Sequence, residues 1–123
     1  MDSLRLSPLG HTWLLDIDGT LCKHNGYKED GRDEILPGVK EFFMGLPPED
    51  MVILITSRNS EYQDVTERFL KENGLRYDAI IYNAPYGERI LVNDRKPSGL
   101  ETGLVWSLRR NRFDLAYTID QRL

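Results

Sequence analysis

The sequence predicts a three-layer α/β domain with a mainly parallel sheet. Apolar runs of strand length that end in acids or hydroxyls alternate with amphipathic helical segments. At 123 residues the chain has room for one domain spanning positions 1–123. Folding at that size buries roughly two thirds of the unfolded surface, enough for a core without staples. His11–Asp18 opens the pattern as a nearly continuous apolar run closed by Gly19, expected to be a strand buried on both faces. The polar stretch 21–36 is a long excursion at that strand's end, a flap. Pro37–Gly45 carries Val39, Phe42 and Phe43 at helical spacing, with Pro47-Pro48 as a stop.

Met51–Thr56 reads as the second strand, ended by Ser57-Arg58-Asn59. Ser60 and Gln63 form a capping-box pattern for a helix with Tyr62, Val65 and Phe69 on one face and Gly74 as its close. Asp78–Tyr82 and Arg89–Asp94 supply two more short apolar strands. The connection between them is too short for a crossover helix, so an extended crossover is expected. Beyond Pro97, Gly103–Leu108 fits either strand or helix, and Leu115–Ile119 fits a last edge strand.

Charge narrows the function classes. Sixteen Lys+Arg face 20 Asp+Glu, a net charge of −4, which argues against a general electrostatic grip on nucleic acid or an anionic membrane. The one basic cluster, Arg109, Arg110 and Arg112, reads as a solvated turn or helix end. No apolar stretch approaches the roughly 20 residues of a membrane span, and Met1–Gly10 lacks the apolar run of a secretory signal. The lone Cys22 rules out an internal disulfide and suits a reducing compartment, so a soluble cytoplasmic protein is the expectation.

In a parallel α/β sheet, ligands bind beyond the carboxyl ends of the strands. Those ends are polar here: Asp16-Ile17-Asp18-Gly19-Thr20, Thr56-Ser57-Arg58 and Asn93-Asp94-Arg95-Lys96. Residues two apart on a strand point the same way, so Asp16 and Asp18 would face a common point. Two such carboxylates repel unless a cation lies between them. With Asp94 they form a set of oxygen donors suited to Mg²⁺. Gly19 and Thr20 would expose backbone N–H groups to an oxyanion, and Thr56 and Ser57 would add hydroxyls. A cation should complete the clamp, because phosphoryl transfer relies on positioning and charge neutralisation.

This constellation resembles the haloacid dehalogenase (HAD) superfamily of phosphatases, whose first motif DxDGT stands here as Asp16–Thr20, and whose second and fourth motifs match Thr56 and Asn93-Asp94. The resemblance spans Trp13 to Pro97 and implies a Rossmann-like, HAD-like fold. It implies Asp16 as the nucleophile that forms an aspartyl-phosphate and Asp18 as the acid/base. Asp16, Asp94 and the backbone carbonyl of Asp18 would hold Mg²⁺. Gly19, Thr20, Ser57 and Arg58 would contact the substrate, and Thr56 would assist the phosphoryl group.

Two positions depart from that pattern. Asn93 replaces the first acid of the fourth motif, and Ala84-Pro85 stands where relatives resembling capsular-polysaccharide phosphatases carry the third-motif Lys. Lys96, two residues beyond Asp94, is the expected replacement cation, with Arg58 and Arg89 behind it. The intervals between motifs are too short for a cap domain, so the resemblance is to the capless type. Substrate selection would fall to the flap, with Lys23, His24, Tyr27, Lys28 and Arg32 as leaving-group contacts, or to a second copy covering the open site.

The function expected is therefore a Mg²⁺-dependent phosphomonoesterase acting on a sugar phosphate or similar small phosphorylated metabolite. The alternative is a nucleotide or polynucleotide-end phosphatase, which the acidic balance disfavours. Less favoured are a non-catalytic relative that binds phosphorylated ligands, which the missing third-motif Lys would allow, and a receiver-like signalling module, similar in length, which would need an acid after the third strand, where Tyr82-Asn83-Ala84 stands.

Overall fold

A computed structural model describes residues 3–123; Met1 and Asp2, the first positions of the expected domain, lie outside it. The chain divides into two units. The larger comprises Gly10–Pro85 and Leu108–Asp114, and the smaller comprises Tyr86–Ser107, Leu115–Leu123 and the chain before Gly10.

The larger unit is α/β with a parallel sheet. Its strands β2 (Thr12–Asp16), β3 (Met51–Ile55) and β4 (Ala79–Ile81) lie in the order β2-β3-β4, so β3 is central. Asp16 pairs with Ile55 and Ile55 with Ile81, which brings the three carboxyl ends level. Between the strands run α1 (Gly26–Glu29), α2 (Val39–Gly45) and α3 (Gln63–Glu72).

The apolar run of β2 is not buried on both faces, which corrects the sequence expectation. Trp13 and Leu15 are buried, while Leu14 is 47% exposed and, on β3, Met51 is 47% exposed. A strand turns alternate side chains to opposite faces, so a continuous apolar run does not reveal whether both faces are covered. On the covered face Val52 and Leu54 are fully buried, and the Phe42 ring of α2 meets Trp13 edge-on at 5.1 Å. Phe69 and Leu70 of α3 are buried as well.

The helix start after β3 also differs. Ser60–Tyr62 forms a single 3₁₀ turn, and the Asn59 side chain, rather than Ser60, accepts the Glu61 N–H at 3.1 Å. Gly74 follows α3 with φ 66°, the left-handed conformation expected of a helix close.

Asp50 anchors the amino end of the sheet. Its buried carboxylate accepts the Trp13 indole N–H at 2.9 Å and the His11 backbone N–H at 3.0 Å, and meets the His11 ring at 2.9 Å. Burial alone would raise its pKa, but these hydrogen bonds outweigh it and hold the carboxyl below its ordinary value. A lowered folded pKa means stabilisation above the ordinary carboxylate value and its loss as pH falls through the folded one. Asp50→Asn should thus melt below wild type at neutral pH, with the gap closing as thermal melts are taken below about pH 4.

In the smaller unit β1 (Leu4–Leu6) pairs in parallel with β5 (Tyr117–Ile119), and Arg5 bridges to Asp120. The C-terminal strand is present, as expected, but its partner is β1. The expected strand Arg89–Asp94 is absent: Ile90 and Val92 are 83% and 89% exposed and no strand pairs with the segment. Apolar composition proposes a strand, but a pairing partner makes one. Residues 93–102 instead fold back on themselves. The Asn93 amide donates to Thr102 Oγ1 at 2.9 Å, Arg95 pairs with Glu101 at 2.8 Å, and the Lys96 N–H reaches the Leu100 carbonyl at 3.1 Å. Among the described residues, no helix is long and apolar enough to cross a membrane.

Candidate active site

Asp16 ends β2 half-buried, and its carboxylate accepts the Thr20 hydroxyl at 3.2 Å. The chain then turns sharply with Gly19 at φ 78°, a conformation glycine adopts without strain. The N–H groups of Thr20, Leu21 and Cys22 all point at the Ile17 carbonyl, at 3.2, 2.9 and 3.3 Å, and the Gly19 N–H reaches the Cys22 carbonyl at 2.8 Å. The expected oxyanion cradle of Gly19 and Thr20 N–H groups is therefore corrected. The loop closes tightly enough to satisfy those donors itself.

Arg58 organises the rest. Its guanidinium is fully buried and holds both oxygens of Asp18, through Nε at 2.9 Å and Nη2 at 2.8 Å. From the other side it holds Asp33 of the flap, at 3.0 Å from Nη1 and 2.7 Å from Nη2. Nη1 also donates to Thr66 Oγ1 at 2.8 Å, and the Tyr27 ring stacks 3.9 Å from the guanidinium carbon. Burial disfavours the positive charge, but Asp18 and Asp33 outweigh it and raise the Arg58 pKa. The sequence expectation of Arg58 as a substrate contact meets a different placement, with its donors spent on protein carboxylates.

The oxygens of Asp18 and Asp33 and the Cys22 sulfur lie within 4.8 Å of one another, a grouping with the ligand types of a metal site. Arg58 Nη2 already bonds all three, with Cys22 Sγ at 3.5 Å. A guanidinium thus supplies the positive charge there. Burial first, and Asp33 second, push the Cys22 thiol far above its ordinary range, so it is held as a neutral thiol.

Thr56 is fully buried at the end of β3, and its hydroxyl accepts the Arg58 N–H at 3.1 Å, fixing the turn that aims Arg58 inward. Ser57, between them, is half-exposed. Tyr27 is buried under Arg58 and edge-on to Tyr62 at 4.7 Å, so it supports the site rather than facing a leaving group. Asn93, Asp94 and Lys96 belong to the smaller unit, where Asn93 and Asp94 line a cleft of about 230 Å³ with Thr102 and Lys96 is exposed.

Two residues escaped the sequence reading. Asp33 was one polar residue among many in the flap, and nothing in its spacing marks it as Arg58's second partner. Asn111 is the other: its N–H donates to the Gly19 carbonyl at 2.8 Å, and its side-chain oxygen accepts the His24 N–H at 2.7 Å. The arginine cluster around it was legible, but its approach to the Asp16–Thr20 loop is a tertiary fact.

No protein-family profile matches the chain, and no curated protein does. Among solved structures, one titled "Structure of Pnkp1/Rnl/Hen1 complex" superposes with a TM-score of 0.52 at 27% identity, over 68% of this chain and 31% of that one. The chain thus spans about a third of the length of that neighbour.

Proposed function

We propose that this protein is a phosphomonoesterase of the HAD type, working through Asp16 and Asp18 on a phosphate at a polynucleotide end. The observation that carries the reading is a carboxylate at the end of β2, followed two residues on by a second one that Arg58, from the end of β3, holds by both oxygens. An Asp16 oxygen would attack phosphorus, the ester P–O bond would break, and Asp18 would give the leaving oxygen its proton. Water, losing its proton to Asp18, would then displace Asp16 and release inorganic phosphate. By holding both Asp18 oxygens, Arg58 sets the orientation of that acid/base.

The donors fit Mg²⁺ by type. Asp16 offers a half-buried carboxylate with a hydroxyl partner, and it would hold the ion with the Asp18 backbone carbonyl. When bound, the ion would neutralise phosphate charge. A polynucleotide end ranks above a small sugar phosphate because the chain superposes on part of the Pnkp1/Rnl/Hen1 complex, and the phosphatase halves of polynucleotide repair enzymes share the motif pattern that Asp16–Thr20 resembles. The net charge of −4 favours the small metabolite, which is the second reading.

Initial rates with Mg²⁺ on a terminally phosphorylated oligonucleotide, a hexose phosphate and an aryl phosphate separate these readings. The oligonucleotide should show the highest kcat/KM. A faster hexose phosphate transfers the site to the second reading, and no turnover of any of them ends the phosphatase proposal.

A further inference from the structure

The basic turn at Arg109–Arg112 is built onto the Asp16–Thr20 loop. The Arg112 N–H closes the turn on the Arg109 carbonyl at 3.1 Å, with Asn111 in the left-handed region at φ 64°. Asn111 ties it to Gly19 on one side and to His24 of the flap on the other. Arg110 Cγ lies so close to Gly19 that a Cβ added there would meet it at 3.2 Å. Buried Phe113 anchors the turn from behind, 5.3 Å from the Phe42 ring.

This seating presents charge. Arg112 is engaged with Asp114 at 3.6 Å, whereas Arg109 and Arg110 are exposed and, among the described residues, in no ion pair. At the same junction His24 Nδ1 is buried and has no hydrogen-bond partner among the described residues. The turn thus carries two exposed arginines, in no ion pair among the described residues, next to the Asp16–Thr20 loop, where one buried polar atom has no hydrogen-bond partner among the described residues. A fixed turn spends less entropy on binding than a mobile arm would.

We propose that Arg109 and Arg110 bind the phosphodiester chain of a single-stranded oligonucleotide, gripping phosphates inward of the terminal one presented to Asp16. This rests on the polynucleotide-end reading and names the element that selects for it. Two neighbouring arginines on one turn gain little from a small ester with one phosphate. An anionic chain offers each its own partner. The acidic balance of the whole chain does not oppose this, because local charge governs contact at distances within the screening length.

The test is fluorescence anisotropy of a labelled, terminally phosphorylated single strand, without Mg²⁺, across a series of salt concentrations. Arg109→Ala/Arg110→Ala should raise Kd about tenfold and flatten the slope of log Kd against log salt by about 1.4, two contacts at about 0.7 each. Arg109→Lys/Arg110→Lys should restore most of the slope, and Arg68→Ala, on the exposed side of α3, should match wild type. Thermal melts confirm that each variant folds. Wild-type affinity and slope in the double alanine variant, or no binding by wild type, would overturn the proposal. Binding does not depend on turnover, so a chain that binds through these arginines but hydrolyses nothing loses only the phosphatase reading. A chain that hydrolyses oligonucleotides with the double alanine variant unimpaired in binding loses only this one.

Discussion

Arg58→Ala is expected to destabilise the protein by about 3–5 kcal/mol, the usual effect of removing one partner from a buried ion pair. Two carboxylates, Asp18 and Asp33, would be left facing each other without their cation. The Asp33 side chain is fully buried, so its charge would lose the partner that offsets its burial. Urea unfolding should show the midpoint lowered with the slope unchanged. That loss is a large part of the roughly 5–15 kcal/mol that holds an ordinary domain together, so the variant is expected to be partly unfolded near 37 °C. Arg58→Lys should recover little, since one ammonium cannot hold both oxygens of two carboxylates and stack on Tyr27. An Arg58→Ala variant as stable as wild type would show that the cluster contributes nothing net.

The second large effect is catalytic. Asp16→Asn should abolish turnover of any phosphate ester this protein hydrolyses, because an amide oxygen is too weak a nucleophile to form the acyl phosphate. Asp18→Asn should lower kcat by about 10²–10⁴-fold, the range associated with losing an acid/base group. The two should differ in stability as well. Asp16 is half-buried and lies outside the set of groups that Arg58 holds, so its replacement should lower the thermal midpoint less than that of Asp18. Asp18→Asn removes a charge from the Arg58 cluster and should lower the midpoint. Equal activity in Asp16→Asn and wild type would refute the nucleophile assignment.

The order of β2, α2, β3, α3 and β4 was readable because each of these elements carries its own local signal, whereas β1 and the short α1 of the flap were not. β2, α2, β3, α3 and β4 are marked by apolar runs of strand length, helical spacing of Phe42 and Phe43, and breakers such as Pro47 and Gly74. Those signals stop at what one segment can say about itself. Leu14 is as apolar as Leu15, yet only the fold decides that one faces solvent. Ile90–Val92 has a strand's composition, but no neighbour lines up with it. The same limit applies at the site. Asp16, Asp18 and Arg58 were marked by motif and by strand ends, whereas Asp33 and Asn111 act through partners 25 and 87 positions away. Pairings that distant leave no periodicity in a single chain.

The tie between Asp33 and Arg58 constrains how the flap can move. The flap is held to its own root by the Lys23 N–H on the Glu34 carbonyl at 2.9 Å and the Leu36 N–H on the Leu21 carbonyl at 3.0 Å, and it is held to β3 through the guanidinium. Lifting it would break those bonds and strand a buried charge in the same event. Hydrogen exchange at Lys23 and Leu36 should therefore follow the global unfolding of β2 and β3 rather than a low-energy local opening. Substrate would reach Asp16 past a wall that unfolds with the sheet, not through a door that swings.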